Sequence, residues 1–134
     1  MIMLKLFYPA CFYPNDTGFT VIIPDLPGCV TEGKDITEAF EMAVDCASGW
    51  VLTELEDGNP IPKASDIQTI TADEYPSGFT TMIVLDMDSY AEKYGEKSIR
   101  KNCTLPAWLN NRAEKMNINF SQVLQEALIQ KLNI

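Results

Sequence analysis

From Ser98 to Leu105 apolar and polar side chains alternate, with Ile99, Cys103 and Leu105 on one face and Ser98, Arg100, Asn102 and Thr104 on the other. A period of two predicts a strand with one face that wants a core. Pro106 has no backbone donor and a fixed φ, so the strand stops there and a helix starts. Leu109, Ala113 and Met116 recur at helical spacing. Asn117-Ile118-Asn119 breaks the pattern, and Asn119 is placed to cap a second helix whose apolar side is Phe120, Val123, Leu124, Ala127, Leu128 and Leu132. A lone strand leaves both edges unpaired, and so short a segment buries too little surface to stand alone. The expectation is completion by a second copy of the chain.

The preceding residues follow a different pattern. Ile2 to Tyr13 predicts a strand, Pro14 to Gly18 a turn, and Phe19 to Ile23 a second strand with Phe19, Val21 and Ile23 on one face. Pro24-Asp25-Leu26-Pro27-Gly28 breaks the ladder, and Cys29 to Glu32 forms a short third strand. Asp35 with Glu38 three residues on makes a capping-box start to a helix. Its apolar stripe is Ala39, Phe40, Ala43, Val44, Ala47, Trp50 and Val51, fading near Asp57-Gly58. After the rigid loop Asn59 to Pro62, Asp66 to Thr71 and Phe79 to Leu85 read as two further strands. A short helix over Ser89 to Tyr94 ends at Gly95. The domain division expected is 1–94, a hinge at 95–96, and 97–134. No internal repeat or low-complexity tract is visible.

Charge sharpens that division. The 134 residues carry a net charge of −9, which taken alone argues against nucleic acid. Residues 97–134 hold six basic side chains (Lys97, Arg100, Lys101, Arg112, Lys115, Lys131) against two acidic, a net of +4; residues 1–96 hold four basic against 17 acidic, a net of −13. Such asymmetry points to different partners for the two parts.

Candidate chemistry is sparse. The chain has no histidine, and its four cysteines, Cys11, Cys29, Cys46 and Cys103, form no C-x-x-C pair. A standard zinc site is not expected, and the cysteines read as reduced and mostly buried. Without histidine, Ser-His and Cys-His nucleophiles and the commonest general base near neutral pH are gone. No phosphate-binding loop of the G-x-x-x-x-G-K type or dinucleotide fingerprint occurs. Asp16, Asp25, Asp86 and Asp88 could hold Mg²⁺ in principle, but they fall in turns and at strand ends, where Asp caps and solvates. The expectation is a non-enzyme with no cofactor and no metal. With no apolar run of membrane-spanning length and no signal-peptide pattern at the N-terminus, a cytoplasmic protein with no membrane partner is expected.

Two segments resemble known families. Thr104-Leu105-Pro106-Ala107-Trp108-Leu109 at the strand–helix join, and Ile118-Asn119-Phe120-Ser121-Gln122-Val123-Leu124-Gln125-Glu126-Ala127-Leu128 opening the last helix, resemble the ribbon-helix-helix DNA-binding family. In that family the strands of two chains pair into a ribbon that enters the major groove. The resemblance implies base reading by Arg100, Asn102 and Thr104, with Ser98 and Lys101 beside them. Arg forks to guanine and Asn to adenine. It also implies a phosphate held by the amides of Phe120 and Ser121, and a dimer core of Ile99, Cys103, Leu105, Leu109, Phe120, Leu124 and Leu128. A homodimer is expected, with tetramers an open alternative. From the pattern alone, an edge strand with a solvated polar face remains the other reading.

Tyr8-Pro9-Ala10, the run Phe19 to Gly33 containing Pro24-Asp25-Leu26-Pro27-Gly28-Cys29, Glu38-Ala39 and Ile61-Pro62 are similar to the HicB antitoxin family. That resemblance implies an α+β chain in which a partial RNase H-like domain, an antiparallel meander sheet with a packed helix, precedes the ribbon-helix-helix. It further implies a small HicA-like toxin as partner, an RNA-cleaving protein, and double-stranded operator DNA as the second. The Pro24–Cys29 run reads first as a rigid turn with Gly28 in a conformation a Cβ would strain; toxin contact by Asp25 or Glu32 is the alternative. Trp50 reads as core. Trp108, one residue off the Leu109 stripe, is placed to pack between domains or subunits. The competing function is a stand-alone ribbon-helix-helix repressor whose acidic domain senses a ligand or partner.

Overall fold

The first strand, β1 (Lys5–Asn15), pairs antiparallel with both β2 (Gly18–Ile22) and β4 (Phe79–Asp86), and β2 pairs with β3 (Val30–Gly33). The sheet order is β3-β2-β1-β4. These relationships come from a computed structural model in which residues 4–72 and 77–134 are described. The part of the expected first strand before Leu4 lies outside them.

β1 contains Pro9 and Pro14, which donate nothing to a ladder. β4 runs beside Lys5 to Phe12 and β2 beside Cys11 to Asn15, so each proline stands where β1 has one neighbour. Pro9 faces Met82, and Pro14 faces Phe19. The strand therefore runs through Pro14, which the sequence pattern assigns to the turn. The turn itself is Asp16-Thr17, fixed by Asn15, whose Oδ1 accepts from the Thr17 amide at 2.9 Å and hydroxyl at 3.1 Å.

Helix α1 (Ile36–Glu56) starts as its sequence predicts. The Asp35 carboxylate accepts from the Glu38 amide at 2.8 Å, and the Glu38 carboxylate accepts from the Lys34 amide at 3.1 Å. Ala39, Ala43, Ala47 and Val51 are buried, with Phe40, Val44 and Trp50 partly buried against the same core. Small side chains let the helix close on β3, and a Cβ at Gly33 would overlap the Ala39 backbone. Beneath lie Tyr8, Phe12, Val21, Ile23, Leu26 and Leu85. Phe12 sits 4.5 Å from the Phe40 ring and stacks on Phe79 at 5.1 Å. Burial of each large side chain of this kind contributes about 1.5 to 3 kcal/mol.

The strand expected over Asp66 to Thr71 is absent, and a 3-10 turn, Ile67–Thr69, occupies the segment. Asp66 decides this locally: its carboxylate takes the Gln68 amide at 2.9 Å, and its carbonyl takes the Thr69 hydroxyl at 2.7 Å. β4 pairs with β1. Helix α2 (Met87–Tyr94) begins two residues before the expected start, because Asp86 caps it through the Ser89 amide at 3.1 Å, and it ends at Gly95.

By its contacts the chain divides at Gly95–Glu96. Beyond that point lie α3 (Ala107–Lys115) and α4 (Phe120–Leu132). Pro106 precedes the first turn of α3 and its carbonyl accepts from the Leu109 and Asn110 amides, both at 3.1 Å. Asn119 caps α4 through the Gln122 amide at 3.0 Å. Residues 98–105, where the sequence predicts a strand, pair with no other strand among the described residues.

Candidate functional site

In the second unit, Glu96–Ile134, no side chain is buried. The apolar face predicted for a dimer core is open to solvent in the single chain. Ile99 is 80% exposed, and Leu105, Leu109, Phe120, Leu124 and Leu128 are each at or above 40%; Cys103 is exposed with them. Phe120, Leu124 and Leu128 share one side of α4 at four-residue spacing. Trp108 is 66% exposed. Ser98, Arg100, Lys101, Asn102 and Thr104 are likewise exposed along the extended segment before α3. At the start of α4 the Asn119 side chain takes the Gln122 amide, and Phe120 and Ser121 form the turn ahead of it, at the positive end of the helix dipole.

In the first unit the Pro24–Cys29 loop is tightly tied. The Ile23 amide donates to the Cys29 carbonyl at 3.0 Å, the Leu26 amide to Ile23 at 3.1 Å and the Cys29 amide to Leu26 at 2.9 Å. Leu26 is fully buried, and Gly28 adopts φ +79°, a backbone conformation costly for any side chain. The Trp50 indole donates to the Pro27 carbonyl at 3.0 Å, so this residue both packs on the core and clamps the loop. Asp25 is half-buried and accepts from Ser65, which ties the loop to the segment after α1. Glu32, by contrast, is exposed on the edge strand β3. The structure thus separates the two carboxylates, one engaged in the scaffold and one facing solvent.

The remaining ionisable groups follow their surroundings. The Tyr8 hydroxyl donates to the Pro62 carbonyl at 2.6 Å, and burial first, then the charge of Asp25, raises its pKa. Cys29 donates to Cys46 across 3.3 Å; burial, then that bond and the neighbouring sulfur, push its thiol up to about 12. Tyr90 is raised by burial and then by Asp45, Tyr94 and Cys46. The carboxylates with potential for Mg²⁺ are dispersed: Asp86 caps α2, Asp88 accepts from the Leu4 amide at 3.2 Å, Asp25 holds Ser65, and Asp16 lies in the β1–β2 turn. Among the described residues no group of three His, Cys, Asp or Glu is arranged to hold a metal ion. Nor is any described helix long and apolar enough to cross a membrane.

Sequence reasoning missed the Asp25–Ser65 and Cys29–Cys46 pairs, which no periodic signal announces. It also missed an open cleft of about 580 Å³ between α1, β4 and α2. The signal available for that cleft was a second apolar row, Phe40 and Val44, beside the buried alanine stripe of α1.

Comparison with known proteins gives this geometry a family. The family model described as HicB-like antitoxin of bacterial toxin–antitoxin system matches residues 8–131. An uncharacterised 14.9 kDa protein from the rep-hol intergenic region of Haemophilus phage HP1 is 32% identical over 111 residues, 82% of this chain and 80% of that protein. A chain of a toxin–antitoxin complex from Streptococcus pneumoniae is similar with TM-score 0.61 at 27% identity, covering 96% of this chain and 99% of its own. The Burkholderia pseudomallei antitoxin HicB shares the fold with TM-score 0.61 at 21% identity, covering 98% of this chain and 99% of that one. An antiparallel sheet with a packed helix, two further helices beyond Gly95 and a family match over nearly the whole length agree: the chain belongs to the HicB-like antitoxins of bacterial toxin–antitoxin systems.

Proposed function

We propose that the chain is a two-handed antitoxin. Its first unit, a partial RNase H-like domain, binds and neutralises a HicA-like mRNA-cleaving toxin. Residues 97–134 of two copies form a ribbon-helix-helix that binds the operator of the chain's own operon. The observation that carries the second half is the coincidence of two properties in one segment. Residues 97–134 are net positive, and they leave Ile99, Leu105, Leu109, Phe120, Leu124 and Leu128 exposed. An apolar face of that extent on a monomer marks an association site. A strand without a neighbour is completed by an antiparallel copy of itself, a self-complementary two-fold arrangement.

In that dimer Arg100, Asn102 and Thr104 project from the ribbon toward base edges, with Ser98 and Lys101 alongside. The Phe120 and Ser121 amides fix the register through a backbone phosphate. The acidic first unit stays clear of DNA and attracts a toxin whose task, holding RNA phosphates, requires a basic surface. A relative at 27% identity solved in a toxin–antitoxin complex supports a protein partner of this class. The chain acts by occupancy, without cofactor, metal or catalytic step.

Co-expression with the adjacent small open reading frame, followed by purification through a tag on this chain, tests the first half. A stable complex is expected, together with growth arrest when the neighbour is expressed alone. A harmless neighbour that fails to co-purify would leave a stand-alone repressor as the better account. Mobility shift on the upstream DNA tests the second half; no retardation by a confirmed dimer would remove operator binding.

A further inference from the structure

The cleft between α1, β4 and α2 has two chemically distinct parts. Phe40 and Val44 of α1, Val84 of the edge strand β4, and Tyr90 and Tyr94 of α2 give it an apolar lining. Glu41, Asp45 and Asp86 stand along it against a single base, Lys93. Val84 and Tyr94 are 45% and 56% exposed, which leaves apolar surface on both walls of the cleft open to a partner. Glu41 and Asp45 occupy successive turns on the exposed side of α1, so their charges repel each other and face the same space. Burial raises the pKa of Tyr90, and the charge of Asp45 beside it raises it further.

Resting on the antitoxin reading, we propose that this cleft seats a cationic, amphipathic segment of the toxin. Aromatic or aliphatic anchors of that segment lie between Phe40, Val44 and Tyr94, and its Lys or Arg side chains meet Glu41 and Asp45. Charge decides the occupant: a lining with three carboxylates and one ammonium repels nucleic acid and selects a basic protein surface. Exposed aromatic rings suit it in the same way, since they accept both apolar stems and cations over their faces. The cleft is open and its lining side chains come from three elements, which fits a protein segment better than an enclosed small ligand. The placement also has a consequence for Glu32. β3 and β4 are opposite edges of the sheet, so a toxin seated on the β4 side leaves Glu32 on β3 outside the contact.

The test uses the full-length chain and the purified toxin encoded by the adjacent open reading frame, with dissociation constants measured at two NaCl concentrations. Glu41→Lys combined with Asp45→Lys is expected to weaken binding roughly 10- to 100-fold, in the range of charge pairs at interfaces, and to flatten the salt dependence. Tyr94→Ala, at an exposed position, is expected to weaken it by a similar factor through lost anchoring. Glu32→Lys is expected to leave it unchanged. Thermal melting of each variant within a degree or two of the parent, a small fraction of the shift per kcal/mol, keeps folding out of the comparison. If the parent binds toxin and the cleft variants bind equally well, the cleft is not the seat, although the antitoxin reading stands. If Glu32→Lys alone abolishes binding, the seat moves to the β3 edge. If the parent itself binds no toxin, the antitoxin reading and this inference fail together.

Discussion

Asp25 accepts two hydrogen bonds from Ser65, one from its amide at 2.8 Å and one from its hydroxyl at 2.5 Å, across a sequence separation of 40 residues. The pair pins the Pro24–Cys29 loop to the segment that follows α1. In its immediate bonds this carboxylate serves the scaffold. Charged acceptors of this kind contribute about 1.5 to 3 kcal/mol each when little exposed. Half-exposure of Asp25 reduces that. Asp25→Ala is therefore expected to destabilise the first unit by roughly 1 to 2 kcal/mol, measured by urea unfolding. Toxin affinity under native conditions should stay near that of the parent. A large loss of affinity with unchanged unfolding would return Asp25 to the toxin interface.

A second expectation concerns the unburied face of the C-terminal unit. Leu124→Asp places a charge between Phe120 and Leu128 on α4. If two copies bury that face, the charge has no partner there and the dimer dissociates. Cys103 reports the same event chemically, because it is exposed in the single chain and belongs to the apolar side of the expected ribbon. Maleimide labelling of Cys103 should be slow in the parent at high protein concentration and fast in Leu124→Asp. Sedimentation velocity gives the mass independently. Equal labelling rates and a monomeric parent would remove the ribbon.

Operator reading provides a third. Arg100→Ala is expected to cost about 1 to 3 kcal/mol of operator affinity and to relax base preference at one position of each half-site. Arg100→Lys should keep part of the affinity and lose most of the discrimination, since a lysine cannot form the two-pronged bond. Binding of toxin should be unaffected by either. Parallel loss at both partners would mean that Arg100 supports the fold.

Much of this architecture is legible in the sequence because it is fixed locally. The Asp35–Glu38 capping box, the Asn119 cap, the Gly28 turn and the alanine stripe of α1 each announce themselves within a few residues. The readings that changed are those where one local preference competes with another or with a distant partner. Asp66 captures the next turn with its own side chain, so a β-like run of Ile67, Thr69 and Ile70 becomes a 3-10 turn. Pro14 stays in β1 because β4 begins only at Phe79, opposite Phe12, and so never runs beside Pro14, a fact of sheet register that no single strand displays. Residues 98–105 carry the alternation of a strand, yet they pair with no other strand in the single chain. The cleft beside α2 is only partly legible, through the Phe40 and Val44 row of α1, because its lining comes from three elements and no sequence period spans them.

The thiol of Cys29 yields the last expectation. Burial and the bond to Cys46 raise its pKa from 9.0 to about 12. A group whose folded pKa lies above its unfolded one is protonated longer in the native state, so its contribution is complete below about pH 9 and is lost as pH climbs toward 12. Over that window the unfolded chain releases the proton first, and stability falls with rising pH. Tyr8 and Tyr90 are shifted in the same direction and add to the same slope. Comparison of the parent with Cys29→Ala isolates the thiol: the variant should start less stable and lose stability less steeply above pH 9. Its midpoint in urea, followed from pH 8 to 10.5, measures the difference. Identical slopes would mean that Cys29 ionises equally easily in both states and would overturn the expectation.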